Sequence, residues 1–260
     1  MFPKNFKPYF FSTSKLVRLG SIDDGGYVVP KSIFKEIDKL ISYGISDNWD
    51  FEKDLTFQAK CSVDAYDYSI NRNFWLKRFQ NDFLKFLQLK IFKPKKIYKM
   101  FIFVNFIYFF YFKKLNNFYL KKIGNSKNEV SFFDTIKNYK GNIFLKIDIE
   151  GSEYEILSDL IKFSKTRLIG FVIEFHDVSI NKKKIVNFIN KINKNIKLIH
   201  IHGNNYSIKS LTKDPEAIEM TFINAKYLPK KIIKNNKKYP IKNLDYPNSK
   251  RSKDLTLRFY

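Results

Sequence analysis

Apolar runs typical of strands alternate along this chain with segments of helical spacing, and this alternation is what most constrains the fold. Strands that are separated by helices pair in parallel and are covered by helices on both faces of the sheet. The pattern therefore predicts a doubly wound α/β fold. The predicted strands are KLISYG (39–44), CSVDAY (61–66), FYLKKI (118–123), NIFLKIDI (142–149), RLIGFVIEF (167–175), KLIHIH (197–202) and IEMTFINA (218–225).

The connection between the last two predicted strands differs from the others. It is a loop of 15 residues, 203–217, without a clear helical pattern. A parallel pair needs a crossover, usually a helix, whereas antiparallel strands can be joined by a simple loop. We therefore expect the last strand to be antiparallel.

One segment does not follow the alternation of predicted strands and helices. Residues 83–128 contain eleven lysines and no acidic residue, and the apolar run MFIFVNFIYFFYF (100–112) is too short to cross a bilayer as a helix. Just before it, aromatic and aliphatic residues recur every four positions from Trp75 to Leu87. The sequence predicts one domain over residues 1–260 with a helical insertion at about 72–120. The aromatic face of the insertion either packs on the sheet or forms a membrane-interface element or acceptor-binding lid.

The formal charge of +23 admits two interpretations. Only six of the 48 basic residues are arginine, the side chain best suited to phosphate and base-edge recognition, so nucleic acid is disfavoured as a partner. Lys, Asn, Ile, Phe and Tyr are all frequent, as an AT-rich coding sequence would produce. In the first interpretation, this coding bias produces a solvated basic surface without a binding role. In the second, the basic residues bind an anionic partner such as a membrane or an acidic substrate.

The cysteine content and the first residues predict the compartment. The single Cys61 excludes an internal disulfide framework and a four-cysteine zinc site. The stretch FPKNFKPYFF after Met1 lacks the apolar run and the cleavage site of a signal peptide. We expect a cytoplasmic protein, with peripheral contact at the inner face of an anionic membrane as the alternative.

Carboxylates cluster at the end of the fourth predicted strand, in FLKIDIEGSEYEIL (144–157). Asp148 and Glu150 alternate there with isoleucines, in a position where an ionised group is costly unless it has a function. Ligands of open α/β sheets bind at the carboxyl ends of the strands. At the first strand's end Gly44 permits close backbone approach, and Ser46 can cap the following helix. Asp67, after the second strand, either accepts hydrogen bonds from a ribose diol or caps a turn.

Several stretches together resemble the FkbM-type methyltransferases, which use S-adenosylmethionine. The most specific is LKIDIEGSEYEIL, and the others follow in order over nearly the whole chain. They are RLGSIDDGGYVVP (18–30), LISYGISDNWDFEKDL (40–55), IEFHDV (173–178), HIHGNNYS (200–207), AIEMTF (217–222) and LDYPNS (244–249). The resemblance implies a seven-stranded, Rossmann-like class I methyltransferase sheet with an antiparallel last strand. The basic aromatic insertion is the main departure from the family pattern.

The resemblance also implies site residues. Asp148 is expected to face the acceptor as a base, an orienting group or a metal ligand, and Glu150 either joins it or caps the next helix. The glycines beside the first strand and the acid after the second suggest a cofactor edge. The predicted cofactor-binding residues are Asp24, Gly25, Gly26, Tyr27, Gly44, Ser46 and Asp67.

The histidines and nearby amides complete the predicted site. His176 follows the fifth strand and is predicted to be catalytic, since an imidazole that titrates near neutrality can remove the proton of a hydroxyl acceptor. His200 lies deeper and is expected to be a core histidine. A divalent metal bound by Asp148, His176 and Asn205 is the alternative to direct base catalysis. The predicted substrate-binding residues are Lys146, His202, Asn204 and Asn205.

These features favour an S-adenosylmethionine-dependent O-methyltransferase. Its expected acceptor is a small molecule or glycan, such as a sugar intermediate of capsule or lipopolysaccharide biosynthesis, and this substrate class is implied by the resemblance alone. The Asn/Asp-Pro-Pro-aromatic motif of many enzymes that methylate nucleic-acid amino groups is missing. The alternative function is a non-catalytic membrane-surface binding or scaffold protein that retains the fold.

Overall fold

The computed structural model describes residues 1–87, 101–113, 116–208 and 214–260. Within them the strands are β1 (Leu16–Gly20), β2 (Gly26–Pro30), β3 (Lys39–Tyr43), β4 (Ser62–Tyr66), β5 (Asn117–Tyr119), β6 (Ile143–Ile147), β7 (Leu168–Phe175), β8 (Ile196–Ile208) and β9 (Pro215–Asn224). The α-helices are α1 (Asp50–Ala59), α2 (Arg72–Leu87), α3 (Ile102–Ile107), α4 (Phe132–Ile136), α5 (Glu153–Phe163) and α6 (Val178–Ile192).

Seven strands form the central sheet in the order β5-β4-β3-β6-β7-β9-β8. The first five are parallel, and β9 runs antiparallel to both β7 and β8, between which it lies. This arrangement confirms the predicted seven-stranded α/β sheet with an antiparallel last strand. The order reverses between β3 and β6, so the carboxyl ends of these two strands border the crevice in which such sheets bind ligands.

The sheet is buried on both faces, which explains why its central strands are almost continuously apolar. Every residue of β6 and β7 is buried. Neighbouring residues of β6 serve opposite faces: Phe144 packs in the cluster that contains α1 and the β1-β2 hairpin, and Leu145 packs in the cluster that contains α5 and α6. The helix α6 buries residues at helical spacing, namely Ile185, Phe188, Ile189 and Ile192.

Two parts of the sheet differ from the sequence prediction. The strand β8 does not end at residue 202 but continues to Ile208, and β9 begins at Pro215, so most of the predicted 15-residue loop is strand. The reason is mutual pairing, since each strand extends as far as its neighbour offers backbone partners. The antiparallel β1-β2 hairpin lies outside the central sheet and was not predicted.

The insertion contains α2, α3 and one turn of π-helix over residues 108–112. The predicted helix through Trp75, Phe79, Phe83 and Leu87 is α2. Trp75 packs edge-on against Phe103 and at a tilt against Phe106, with ring centroids 4.9 and 5.2 Å away. The lysine-rich stretch FKPKKIYK (92–99) lies outside the described residues. No helix of the described part of the chain is long and apolar enough to cross a membrane.

Gly44 brings the ends of β3 and β6 into direct contact. Its φ is +77°, and a Cβ built at this position would lie 1.7 Å from the carbonyl oxygen of Asp148. The Asp148 amide also donates to the carbonyl of Tyr43, at 2.9 Å. Only glycine fits this approach in this conformation, so the residue predicted to permit close backbone contact makes its contact with the loop after β6.

Candidate active site

Asp148 follows β6 directly, and its side chain lies at the switch in strand order. Its Oδ2 accepts a hydrogen bond of 3.0 Å from the hydroxyl of Tyr27, on β2. Its Oδ1 lies 3.9 Å from Nε2 of His176. The side chain is 23% exposed, so it faces a cavity while its position is held from two sides. This places the predicted acceptor-facing carboxylate at the carboxyl edge of the sheet.

Glu150 does not share the environment of Asp148. The strand ends at Ile147, and Glu150 and Gly151 both have positive φ, of 51° and 98°. The turn sends the Glu150 carboxylate outward, where it is 86% exposed and its Oε2 lies 3.5 Å from His176 Nε2. No side chain caps the start of α5, so the alternative role predicted for Glu150 is not observed.

His176 is held at the end of β7 by Glu153. The buried carboxylate of Glu153 accepts from the backbone amide of His176 at 2.7 Å and from that of Gly151 at 2.8 Å, and its Oε1 lies 3.3 Å from His176 Nδ1. Tyr154 donates its hydroxyl proton to the His176 carbonyl. One side chain at the start of α5 thus fixes the loops after β6 and β7 relative to each other.

The acids around His176 make it a cation at neutral pH. Burial favours the neutral imidazole, but the hydrogen bond that the ring donates to Glu153 and the charges of Glu174 and Asp148 outweigh it and raise the pKa of His176 to about 9. The expectation of an imidazole that titrates near neutrality is therefore wrong. The ring instead provides positive charge among carboxylates.

Glu174 belongs to the same group and was not predicted. It lies on β7, is 5% exposed, and accepts a hydrogen bond of 2.8 Å from the side-chain amide of Asn204. Burial raises the pKa of Glu174 well above its usual range, and the charges of Asp148 and Glu219 add to the effect. The sequence did contain a signal, because a glutamate in the otherwise apolar run GFVIEF is costly to bury without a function.

His202 and Asn205 lie away from Asp148. Nδ1 of His202 is 3.1 Å from Glu219, its Nε2 is 3.0 Å from Asp254, and the residue is 1% exposed. Asn205 exchanges hydrogen bonds with the backbone of Ser249, at 2.9 and 2.6 Å. Both side chains fasten the C-terminal segment to β8. Of the predicted substrate-binding residues on β8, Asn204 alone faces the carboxylates at the sheet edge.

His200 lies deeper than His202, as expected for a core histidine. It is 2% exposed, and its Nε2 is 3.1 Å from the carboxylate of Asp245. It faces no cavity of the sheet edge, so its contribution is to the attachment of the C-terminal segment.

A cavity of about 250 Å³, here called the Gly44 cavity, lies at the ends of β3, β4 and β6. Five of the seven predicted cofactor residues line it, and Gly26 and Tyr27 do not; Tyr27 instead supports Asp148. The five are Asp24, Gly25, Gly44, Ser46 and Asp67. Asp67 accepts from the amides of Ile45 and Ser46 at 2.9 and 2.8 Å, so it also shapes the loop after Gly44.

Lys146 lies beneath Asp148 and lines the Gly44 cavity, but its side chain is almost fully buried. It is 3% exposed, donates to the carbonyl of Gly44, and lies 3.6 Å from Glu52 and 3.8 Å from Asp148. Burial opposes its charge, but Glu52 and Asp148 outweigh burial and raise its pKa. Lys146 therefore remains a cation and offsets the charge of the two acids.

A second cavity, of about 480 Å³, adjoins the first and is here called the acidic cavity. Most of the residues that line it are acidic, and His176, Asn204 and Tyr206 line it as well. Asp24, Asp148 and Glu150 line both cavities. A molecule in the Gly44 cavity and a molecule in the acidic cavity would therefore meet at Asp148.

Asp148, Glu174 and His176 form a group that could hold a metal ion. One ligand atom from each lies within 4.8 Å of the others. Carboxylate oxygens and an imidazole nitrogen suit Mg²⁺ or Mn²⁺. Glu174 replaces Asn205 of the predicted set, because Asn205 faces the C-terminal segment.

The buried His202 pair generates a prediction about pH and stability. The folded pKa of about 10 exceeds the ordinary value of 6.5, so its stabilisation is complete below pH 6.5 and falls as the pH rises toward 10. His202→Gln should therefore lower the free energy of unfolding at pH 6 by about 3 kcal/mol, since Glu219 loses its cation. In urea denaturation, the difference in the free energy of unfolding between wild type and variant should be smaller at pH 9.5 than at pH 6. An equal difference in the free energy of unfolding at both pH values would mean that His202 acts through packing alone.

The comparisons with known proteins agree with the motif analysis. Residues 126–227 match the family model described as Methyltransferase FkbM domain, a range that contains β6 to β9 and the residues Asp148, Glu174 and His176. A search of curated proteins returned no match.

Three similar solved structures each cover 74% of this chain. An rRNA methylase from Streptococcus thermophilus is 10% identical with a TM-score of 0.38, and 90% of its own chain is covered. The Methanococcus jannaschii fibrillarin pre-rRNA processing protein is 14% identical with a TM-score of 0.37 and 68% covered. Precorrin-6y C5,15-methyltransferase from Geobacter metallireducens is 11% identical with a TM-score of 0.34 and 84% covered.

Similarity at this level does not identify a substrate. The fold is established by the strand order of the sheet itself. A methyltransferase of this fold implies S-adenosylmethionine as the methyl donor. Residues 126–227, which hold the acidic group and the second half of the sheet, match the model of the methyltransferase FkbM domain.

Proposed function

We propose that this protein transfers a methyl group from S-adenosylmethionine to a hydroxyl of a sugar or another polar intermediate of surface-glycan synthesis. The observation that carries the proposal is the position of Asp148, which lines both the Gly44 cavity and the acidic cavity. Methyl transfer requires donor and acceptor to meet in line. A carboxylate at their junction is placed to act on the acceptor.

The Gly44 cavity fits the donor. Gly44 and Gly25 both line the cavity, and because they carry no side chains they contribute only backbone atoms to its wall. Asp67 lines the cavity at the end of β4, and a ribose diol there would exchange with or add to the hydrogen bonds that its carboxylate accepts from Ile45, Ser46 and Ser69. When bound, S-adenosylmethionine supplies an already activated methyl group, so the protein has only to align the acceptor and remove its proton.

The acidic cavity fits a neutral acceptor with several hydroxyls. Carboxylate oxygens accept hydrogen bonds from hydroxyl groups. The Asn204 amide group adds a hydrogen-bond donor, and the Tyr206 hydroxyl can both donate and accept. A phosphate or carboxylate would be repelled by the same walls. The link to glycan synthesis rests on the family resemblance.

Within this arrangement we assign the proton-accepting role to Asp148. His176 carries its own proton at neutral pH and so cannot remove another one, but its positive charge lies 3.9 Å from the Asp148 carboxylate. Tyr27 donates to the Asp148 oxygen farther from His176, which orients the carboxylate. Glu153 holds the imidazole in place through the His176 backbone and ring.

A divalent cation on Asp148, Glu174 and His176 is the second candidate arrangement. The residues fit such an ion because one ligand atom from each lies within 4.8 Å of the others, and binding would require the His176 imidazole to release its proton. When bound, the cation would supply positive charge that orients an acceptor hydroxyl and eases its deprotonation.

The catalytic assignment predicts the effects of two isosteric changes. Asp148→Asn and His176→Gln should each lower turnover by roughly 10²-fold while the affinity for S-adenosylhomocysteine changes little, since the lost interactions act on the acceptor. Turnover is measured as S-adenosylhomocysteine release with a panel of monosaccharides and sugar nucleotides, and mass spectrometry with NMR locates the added methyl.

The control is Asp159→Asn on α5, whose carboxylate pairs with Lys162 at the surface. This variant should retain wild-type turnover. Normal turnover of the Asp148 and His176 variants, or methylation of nitrogen instead of oxygen, would contradict the assignment.

The cation arrangement predicts that Glu174→Gln weakens Mn²⁺ binding by tenfold or more in calorimetry, because one of three ligands loses its charge. Glu216→Gln, another carboxylate of the acidic cavity outside the group of three, should bind Mn²⁺ as wild type does. Turnover should also disappear in EDTA and return with Mn²⁺. Equal Mn²⁺ affinity in wild type and Glu174→Gln would rule out this site.

A further inference from the structure

The insertion contains an apolar groove that the proposed function leaves unexplained. The groove has a volume of about 480 Å³ and lies between α2 and α3. Its apolar lining residues are Trp75, Leu76, Phe79, Phe83, Ile102 and Phe103. Phe79 is 69% exposed and Phe103 is 46% exposed, so large aromatic surfaces face solvent here.

Packing of the insertion on the sheet does not account for these side chains. A different set of aromatics attaches the insertion: Phe106, Phe109 and Phe110 are at most 3% exposed, and Phe106 contacts Trp49 with ring centroids 5.5 Å apart. The groove residues lie on the side that this core leaves uncovered. Exposed apolar patches of this kind mark binding sites for partners, ligands or membranes.

The groove is continuous with the acidic cavity. A third cavity, of about 440 Å³, lies between them and is here called the bridging cavity. It shares Arg78 and Ile102 with the apolar groove, and it shares Asp24 and Tyr206 with the acidic cavity. The three cavities therefore adjoin one another in sequence between Asp148 and the space between α2 and α3.

The chemical character changes along this path. The end at Asp148 is lined by carboxylates, whereas the far end is lined by aromatic and aliphatic side chains. The two cations that line the bridging cavity are paired within the protein: Arg78 forms ion pairs with Asp47 and Asp82, and Lys53 forms one with Asp50. The junction therefore does not demand an anionic ligand, and an uncharged chain can pass it.

We propose that the acceptor is an amphiphile, with its hydroxyl-bearing head in the acidic cavity and a hydrocarbon tail in the apolar groove. This inference rests on the proposed function, since it specifies the substrate class of the same site. A tail buried in the groove contributes binding energy in proportion to the apolar surface it removes from water. The head group then supplies the hydroxyl, and the tail supplies affinity.

The test uses a homologous series of uncharged alkyl glucosides, from hexyl to decyl, below their micelle concentrations. Calorimetry should show the dissociation constant falling about three- to fourfold for each added methylene, the factor expected for burial in an apolar site. Phe79→Ser should abolish this dependence on chain length. Phe57→Ser on α1, a residue that is 79% exposed and lies outside the groove, should retain it.

The outcomes separate this inference from the proposed function. If methyl transfer to short sugars occurs but affinity is independent of chain length, the amphiphile is ruled out and the methyltransferase assignment stands. If chain length governs affinity but no probe is ever methylated, the groove binds tails and the proposed function fails. Binding of wild type, but not Phe79→Ser, to phospholipid vesicles without any chain-length effect would make the surface a membrane contact and overturn the inference.

Discussion

The contact between the backbone of Gly44 and the carbonyl of Asp148 is the constraint on which the site depends. It joins the ends of β3 and β6 at the switch in strand order, and no side chain fits between them. Because the backbones touch, Lys146 can reach the Gly44 carbonyl from below while Asp148 faces the cavities above. The same contact places the Gly44 cavity and the acidic cavity side by side.

Charge compensation determines the rest of the site. Asp148, Glu174 and Glu219 are close enough for their charges to act on one another, and burial makes their ionised forms costly. Three cationic side chains offset these negative charges. Lys146 lies beneath Asp148, His176 lies between Asp148 and Glu174, and His202 contacts Glu219. The raised pKa values of both histidines follow from this arrangement. A protein of net charge +23 thus has a negatively charged cavity, which suits neutral hydroxyl groups or a cation better than an anionic substrate.

Local sequence patterns predicted those parts of the structure that local interactions control. The alternation of apolar runs gave the sheet, and the KIDIEG motif gave a carboxylate at the end of β6. Contacts between distant segments were beyond such patterns. The hydrogen bond from Tyr27 to Asp148 joins residues 121 positions apart, and the bond from the His176 amide to Glu153 depends on two loops meeting. His202 was predicted at the open edge because β8 was expected to end there, but pairing with β9 extends the strand and buries the ring.

Calorimetric titration of the protein with S-adenosylhomocysteine is the most direct test of the central claim, that the Gly44 cavity holds the methyl donor. The account predicts one site per chain with a dissociation constant in the micromolar range. It also predicts a loss of at least about tenfold in Asp67→Ala, since a hydrogen bond to a ribose hydroxyl contributes on the order of 1–2 kcal/mol. Absence of binding at millimolar S-adenosylhomocysteine would contradict the claim. Unchanged affinity in the variant would place the ribose elsewhere.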